Sequence, residues 1–109
     1  MFLVCGEALF DIFVEAEDPS GSLRLDARAG GSPFNVAIGL ARLGTRAGLY
    51  TGMSEDMLGN RLAARLDAEG VETRFLVRSG RRTTLSIVGL DASGSPSYAF
   101  YGVGSADCS

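Results

Sequence analysis

Gly30-Gly31-Ser32-Pro33-Phe34-Asn35-Val36-Ala37, running on to Leu43-Gly44, is the stretch whose reading decides the fold. Paired glycines open a helix here. Ser32 is a good N-cap, and Pro33 suits the first helical position, where no amide hydrogen is needed. Val36, Ala37, Leu40 and Leu43 then fall on one helical stripe, and Gly44 supplies the left-handed stop. Upstream, Leu23–Ala29 alternates apolar with charged residues, the pattern of a half-exposed strand in an antiparallel sheet. Glu15–Ser22 reads as a turn. Ala8–Val14 is strand-like with one charge, Asp11, set inside it, and Met1–Val4 is a short apolar run expected to be a strand buried on both faces. Downstream, Arg46–Tyr50 predicts a short strand. A second helix begins at Ser54 or Asp56, with a stripe of Leu58, Leu62 and Leu66 and a stop at Gly70. Glu72–Val77 predicts a strand, and Thr84–Leu90 with Ser97–Tyr101 a hairpin across 91–96. The fold class is α/β with extra antiparallel strands.

Composition narrows the function. At 109 residues, with 46% hydrophobic and 21% charged residues, the chain is expected to form one globular unit. It has a net charge of −3 and scattered arginines, which argues against a phosphate-backbone reader. The absence of lysine removes a Walker-type phosphate lysine, and the absence of histidine removes His-based triads and His-ligated zinc. No metal ligand set is expected. Cys5 and Cys108 are too few and too far apart for a zinc knuckle or a redox pair, and read as reduced thiols. The N-terminus lacks the basic region of a signal peptide, and no run is long enough to span a bilayer. A cytoplasmic protein with no nucleic-acid and no membrane partner is expected.

Three constellations carry chemistry. The Gly30-Gly31 pair at a helix start lets a ligand approach the backbone, with first-turn amides as donors and Asn35 adding a side-chain amide. The same glycines also suit a plain strand-to-helix turn. Asp11 would be costly to bury in an apolar strand unless hydrogen-bonded, and two neighbouring sugar hydroxyls are natural partners. It equally fits the wet face of a strand. In Tyr98-Ala99-Phe100-Tyr101, Tyr98 and Phe100 face one way and Tyr101 the other, so one face can cap a sugar ring while the other packs. Core packing is the commoner use of such a stripe.

Together these residues resemble the ribokinase/pfkB family of carbohydrate kinases. The carriers are Gly30-Gly31-x-Pro33-x-Asn35-x-Ala37 with Gly44, and the fructokinase-like opening Gly6-Glu7-Ala8-Leu9-Phe10-Asp11. Gly52-Met53-Ser54-Glu55-Asp56-Met57-Leu58-Gly59 and Arg82-Thr83-Thr84 through Tyr98–Tyr101 complete the set. The resemblance covers the chain in the family's order. It implies a ribokinase-like α/β fold, with residues 1–109 as an incomplete N-terminal portion: part of a mostly parallel sheet flanked by helices, with lid strands near 12–29 and 84–101. By resemblance Asp11, Gly31 and Asn35 hold sugar hydroxyls, Gly30 sets the turn, and Phe100 or Tyr101 reaches the ring from the lid. The implied activity is transfer of the ATP γ-phosphoryl group to a sugar hydroxymethyl, with Mg2+. The family's catalytic Asp, in a Gly-x-Gly-Asp helix start, and most of the ATP site are expected beyond Ser109. Homodimerisation through the lid strands is the implied assembly. Serine stands at position 54, where the signature usually has glycine. Gly102 stands where relatives acting on sugar acids often carry Arg, which favours a neutral sugar. Alternatives are a kinase for ribose, a 2-keto-3-deoxy sugar acid or a nucleoside, or a non-catalytic sugar-binding or dimerisation module.

Overall fold

The structure, a computed structural model, describes residues 1–17, 19–90, 93–102 and 104–106, with the side chains of Ala16 and Glu17 left aside. Cys108 and the first residues of the hairpin turn, Asp91 and Ala92, lie outside the described residues. Among the described residues, seven strands and two helices follow in the order β1 (Phe2–Cys5), β2 (Leu9–Glu17), β3 (Leu23–Gly30), α1 (Ser32–Arg42), β4 (Ala47–Ser54), α2 (Met57–Ala68), β5 (Leu76–Ser79), β6 (Thr84–Leu90) and β7 (Pro96–Tyr101).

They form two sheets. One is a parallel layer in the order β1-β4-β5, with α1 and α2 against it. The other is a four-stranded lid in the order β3-β2-β6-β7. Its two hairpins are antiparallel, but its central pair, β2 with β6, runs parallel, so the lid is a mixed sheet rather than a purely antiparallel one. The reason is the crossover: the chain leaves the lid at Gly30, passes through both helices and the parallel layer, and re-enters at Thr84 opposite Leu9.

The core gathers Phe34, Ala37 and Ile38 of α1, Leu62 and Leu66 of α2, Leu49 and Met53 of β4, and Phe10 and Ile12 of the lid. The α2 stripe and Gly70 stop follow the spacing. The α1 stripe is rotated: Phe34, Ala37 and Ile38 point inward, while Val36 and Leu43 are exposed. Both sets have helical spacing, and the bulk of Phe34 and Ile38 settles the choice. The helix also starts one residue early. Gly31 is the N-cap, with no side-chain cap, and Ser32 is the first helical residue.

Three strands depart from the reading. β4 runs on to Ser54. β5 begins only at Leu76, with a single parallel bridge from Gly48 to Glu72 before it. β1 is largely exposed rather than buried on both faces. Parallel pairing places Leu3 beside Gly48, Cys5 beside Tyr50 and Val77 beside Gly52 on the face away from the helices, where the Phe75 ring packs over Gly48 while Leu3, Cys5, Tyr50 and Val77 stay exposed.

Candidate functional site

Asp11 lies near the middle of β2, and register decides what surrounds it. Parallel pairing puts Ser86 of β6 beside Asp11, and antiparallel pairing puts Phe100 of β7 beside Ser86. Directly paired residues share a face, so Asp11, Ser86 and Phe100 form one row across the lid. Tyr101 pairs with Leu85 on the opposite face. Arg28 pairs with Asp11 on the other side, but its guanidinium is turned to Asp26 at 3.0 Å and lies over the Phe13 ring.

Opposite this row stands the N-terminus of α1. Between them is an open pocket of about 680 Å³, lined by Glu7, Leu9, Asp11, Ser86 and Phe100 on one side and by Gly31, Ser32, Asn35 and Val36 on the other. The glycines explain how the walls come so close. Gly31 has φ +102°, and a Cβ there would stand 2.9 Å from the Glu7 carbonyl oxygen. That is backbone crowding rather than open ligand space, so Gly31 serves the strand-to-helix turn and presents its backbone to the pocket. A Cβ at Gly30 would fall 2.6 Å from Asp11 Oδ2, so the bare Cα of Gly30 is what lets the carboxylate take its position. Gly102 acts on Phe100 in the same way: a Cβ there would lie 2.5 Å from the ring.

The polar groups of the pocket are unspent. Among the described residues, the side chains of Glu7, Asp11, Ser32, Asn35 and Ser86 have no hydrogen-bond or ion-pair partner. Two carboxylates that only accept, two hydroxyls that do both, and one amide with donors and an acceptor converge on one space. Among the described residues, the charged groups that line it are Glu7 and Asp11. Such a site receives hydroxyl donors and repels phosphate and carboxylate groups.

Of the expected residues, Asp11, Gly31, Asn35 and Phe100 line this pocket, and Gly30 touches it through Asp11. Tyr101 does not line it. Glu7, Leu9, Ser32, Val36 and Ser86 were missed by sequence reasoning. Glu7 sits within the quoted opening motif but outside its strand. Ser86 becomes visible only once β6 is set beside β2 in register, a pairing between distant segments.

Fold and pocket define a class: a mixed α/β chain whose lid sheet and helix N-terminus enclose a carboxylate-bearing, polar pocket. The chain belongs to the pfkB family of carbohydrate kinases, whose family model matches residues 2–108. It is 38% identical over 106 residues to the fructokinase of Rhizobium leguminosarum bv. trifolii, covering 97% of this chain and 32% of that protein. It is 35% identical to the fructokinase of Vibrio alginolyticus, covering 95% of this chain and 33% of that one. Among solved structures, the fructokinase of Xylella fastidiosa superposes with a TM-score of 0.90 at 37% identity, covering 97% of this chain and 33% of that one. A second structure of that enzyme holds bound ATP. The chain thus spans about a third of the length of the relatives it matches.

The described residues that line this pocket do not fit ATP or Mg2+. The pocket offers two carboxylates and no cation. Among the described residues, no group of three or more Cys, Asp or Glu side chains is placed to hold a metal ion.

Proposed function

We propose that this chain supplies the sugar-binding floor and lid of a fructokinase-like sugar kinase. The complete protein transfers the γ-phosphoryl group of ATP, with Mg2+, to the hydroxymethyl of a neutral sugar. The observation that carries the reading is the unpartnered Asp11 carboxylate, held in one row with Ser86 and Phe100 and facing Asn35 and the Gly30-Gly31 turn. Asp11 accepts from two neighbouring hydroxyls and Asn35 bridges a third. Ser86 donates or accepts beside Asp11, and the Phe100 ring covers the apolar edge of the sugar. Gly102, by leaving room for that ring, and the two pocket carboxylates both favour a neutral sugar over a sugar acid. The catalytic base and the groups that neutralise the phosphoryl charge come from outside these residues, so the part played here is positioning.

The test is a calorimetric titration of the purified chain with fructose and with gluconate. Weak, saturable fructose binding with no response to gluconate supports the reading. Equal binding of both, or of neither, removes it. The alternative of a non-catalytic sugar-binding module is decided by the same protein in a coupled ATP-consumption assay, once it is joined to the remaining two thirds of a relative.

We infer further that the complete protein pairs with a second copy through its lid, in the cytoplasm. Leu25, Leu90 and Tyr98 on the lid are 52%, 74% and 72% exposed, which supports a sheet that gains cover by association. Cys5 is free and exposed, as a reducing compartment permits. Among the described residues no helix is long and apolar enough to cross a membrane. Light scattering that finds only monomer at all micromolar concentrations overturns the dimer.

A further inference from the structure

The parallel layer and the lid are separate sheets, and the pocket lies between one helix of the first and one face of the second. Its shape therefore depends on the angle between the layers, and hence on whatever fixes the lid where it leaves the layer. At the root of β6 the side chains form a small cluster. Asp56, the N-cap of α2, accepts on Oδ1 from the Gly59 amide at 2.8 Å and from the Ser54 hydroxyl at 2.5 Å. The same oxygen accepts from the Thr83 hydroxyl at 3.0 Å, and Oδ2 accepts from the Thr83 amide at 3.4 Å. Ser54 and Thr83 hydroxyls lie 2.8 Å apart, which closes the triangle. Ser54 ends β4, Asp56 begins α2, and Thr83 immediately precedes β6.

Among the described residues, this is the side-chain hydrogen-bond cluster that joins the parallel layer to the lid. Further polar contacts lie nearby. Thr84 and Ser105 bond to each other at 2.6 Å, and Arg78 donates to the Ser54 carbonyl and to Asn60. A cap needs one oxygen and one amide. Asp56 does more, using both oxygens and reaching across a long sequence separation to a residue outside its own helix.

We propose that Asp56 is a positioning residue. Through Thr83 it pins the root of β6 to the end of β4 and the start of α2, and so sets where Ser86 and the paired Asp11–Phe100 row stand relative to Asn35. It touches no substrate. Its effect on the pocket rests on the sugar-site reading above, but the pin itself does not.

Thr83 separates the pin from the cap. Thr83→Val keeps the shape of the side chain and leaves Asp56 bonded to Gly59, removing only the hydroxyl of the pin. Hydrogen exchange of the purified chain, read amide by amide, is the measurement. The amides of Leu85, Ser86 and Ile87 are expected to exchange about tenfold faster in Thr83→Val, as the loss of one hydrogen bond to a charged group allows. The amides of Leu49 and Leu66 in the other layer are expected to stay within about twofold, and Thr83→Ser to restore the wild-type pattern. Asp56→Asn, which keeps an acceptor but no charge, is expected to fall between the two. A rise of the same size in both layers makes Thr83 an ordinary stability contact and overturns the proposal, as does no change in β6. If the pin holds and the chain binds no sugar, the exchange result stands and only the sugar reading falls.

Discussion

Asp11 illustrates how one residue was legible and what about it was not. A charge inside an apolar run stands out in any sequence, and its need for hydroxyl partners follows from the cost of burying a carboxylate. Its neighbours were hidden, because Ser86 and Phe100 reach it by pairings between segments far apart in the chain. Asn35 and the glycine pair were legible from the helix start, although Gly31, not Ser32, caps it. Replacing Asp11 by Ala removes charge-assisted hydrogen bonds worth roughly 1.5–3 kcal/mol each, so fructose affinity is expected to fall at least tenfold. Calorimetry on the folded variant checks this, and unchanged affinity removes Asp11 from the site. Gly30→Ala tests the same carboxylate from behind. The new Cβ displaces Oδ2, so sugar binding is expected to weaken while the melting temperature moves by only a few degrees, about the cost of a small packing adjustment. A variant that loses its fold instead would place Gly30 in the scaffold alone.

Helix ends and ion pairs set the behaviour of the elements. The stop at Gly70 and the stripe of α2 were readable because only one helical face is apolar. α1 carries two apolar faces, and choosing between them required knowing that Phe34 and Ile38 fill the space over β4. Two arginine contacts tie the region together: Arg42 donates to both carboxylate oxygens of Glu69 at 2.6 and 2.7 Å, and Arg46 donates twice to Glu72 Oε1 at 2.7 and 3.0 Å. The hydrogen bond from Arg42 holds the Glu69 carboxyl below its ordinary range, and the bond from Arg46 does the same for Glu72. Burial pushes Asp56 upward, but the bonds from Ser54, Gly59 and Thr83 outweigh it and leave that carboxyl low as well. All three are depressed in the folded state. Their contribution is therefore complete above the unfolded carboxylate values, near 4.5 for Glu and 3.8 for Asp, and is lost as pH falls through the lower folded values. Thermal midpoints are expected to be flat from pH 7 to 5 and to drop below about pH 4.5. Arg42→Met is expected to make that drop shallower. A midpoint that rises on acidification contradicts the pairing.

At the scale of the molecule, the described residues form two sheets with a pocket between a helix and a lid, and a parallel layer whose second face is largely exposed apart from the Phe75 ring over Gly48. Leu3, Tyr50 and Val77, at 46%, 53% and 53% exposure, lie on the open face. That the helices are too few to cover both faces was readable from element order alone. That β1 would itself be exposed was not, because a continuous apolar run looks the same whether or not its second cover is present. The open face predicts a low melting temperature and binding of a hydrophobic dye by the native chain. Dye fluorescence that appears only on unfolding contradicts it. The chain has no lysine, no histidine and no Gly-x-Gly-Asp, so it is expected to consume no ATP in the presence of fructose. Loss of a positioned base alone costs about 10²–10⁴ in rate, and a coupled assay above background would place the chemistry within these residues.

The central claim is that these residues hold the sugar and not the phosphoryl chemistry. An amide-resolved NMR titration of the chain with fructose tests it most directly. The account predicts saturable shifts confined to the residues that line the pocket, Asp11, Gly31, Ser32, Asn35, Ser86 and Phe100 among them, abolished by Asp11→Ala. Shifts elsewhere, or shifts at these positions that survive Asp11→Ala, contradict it.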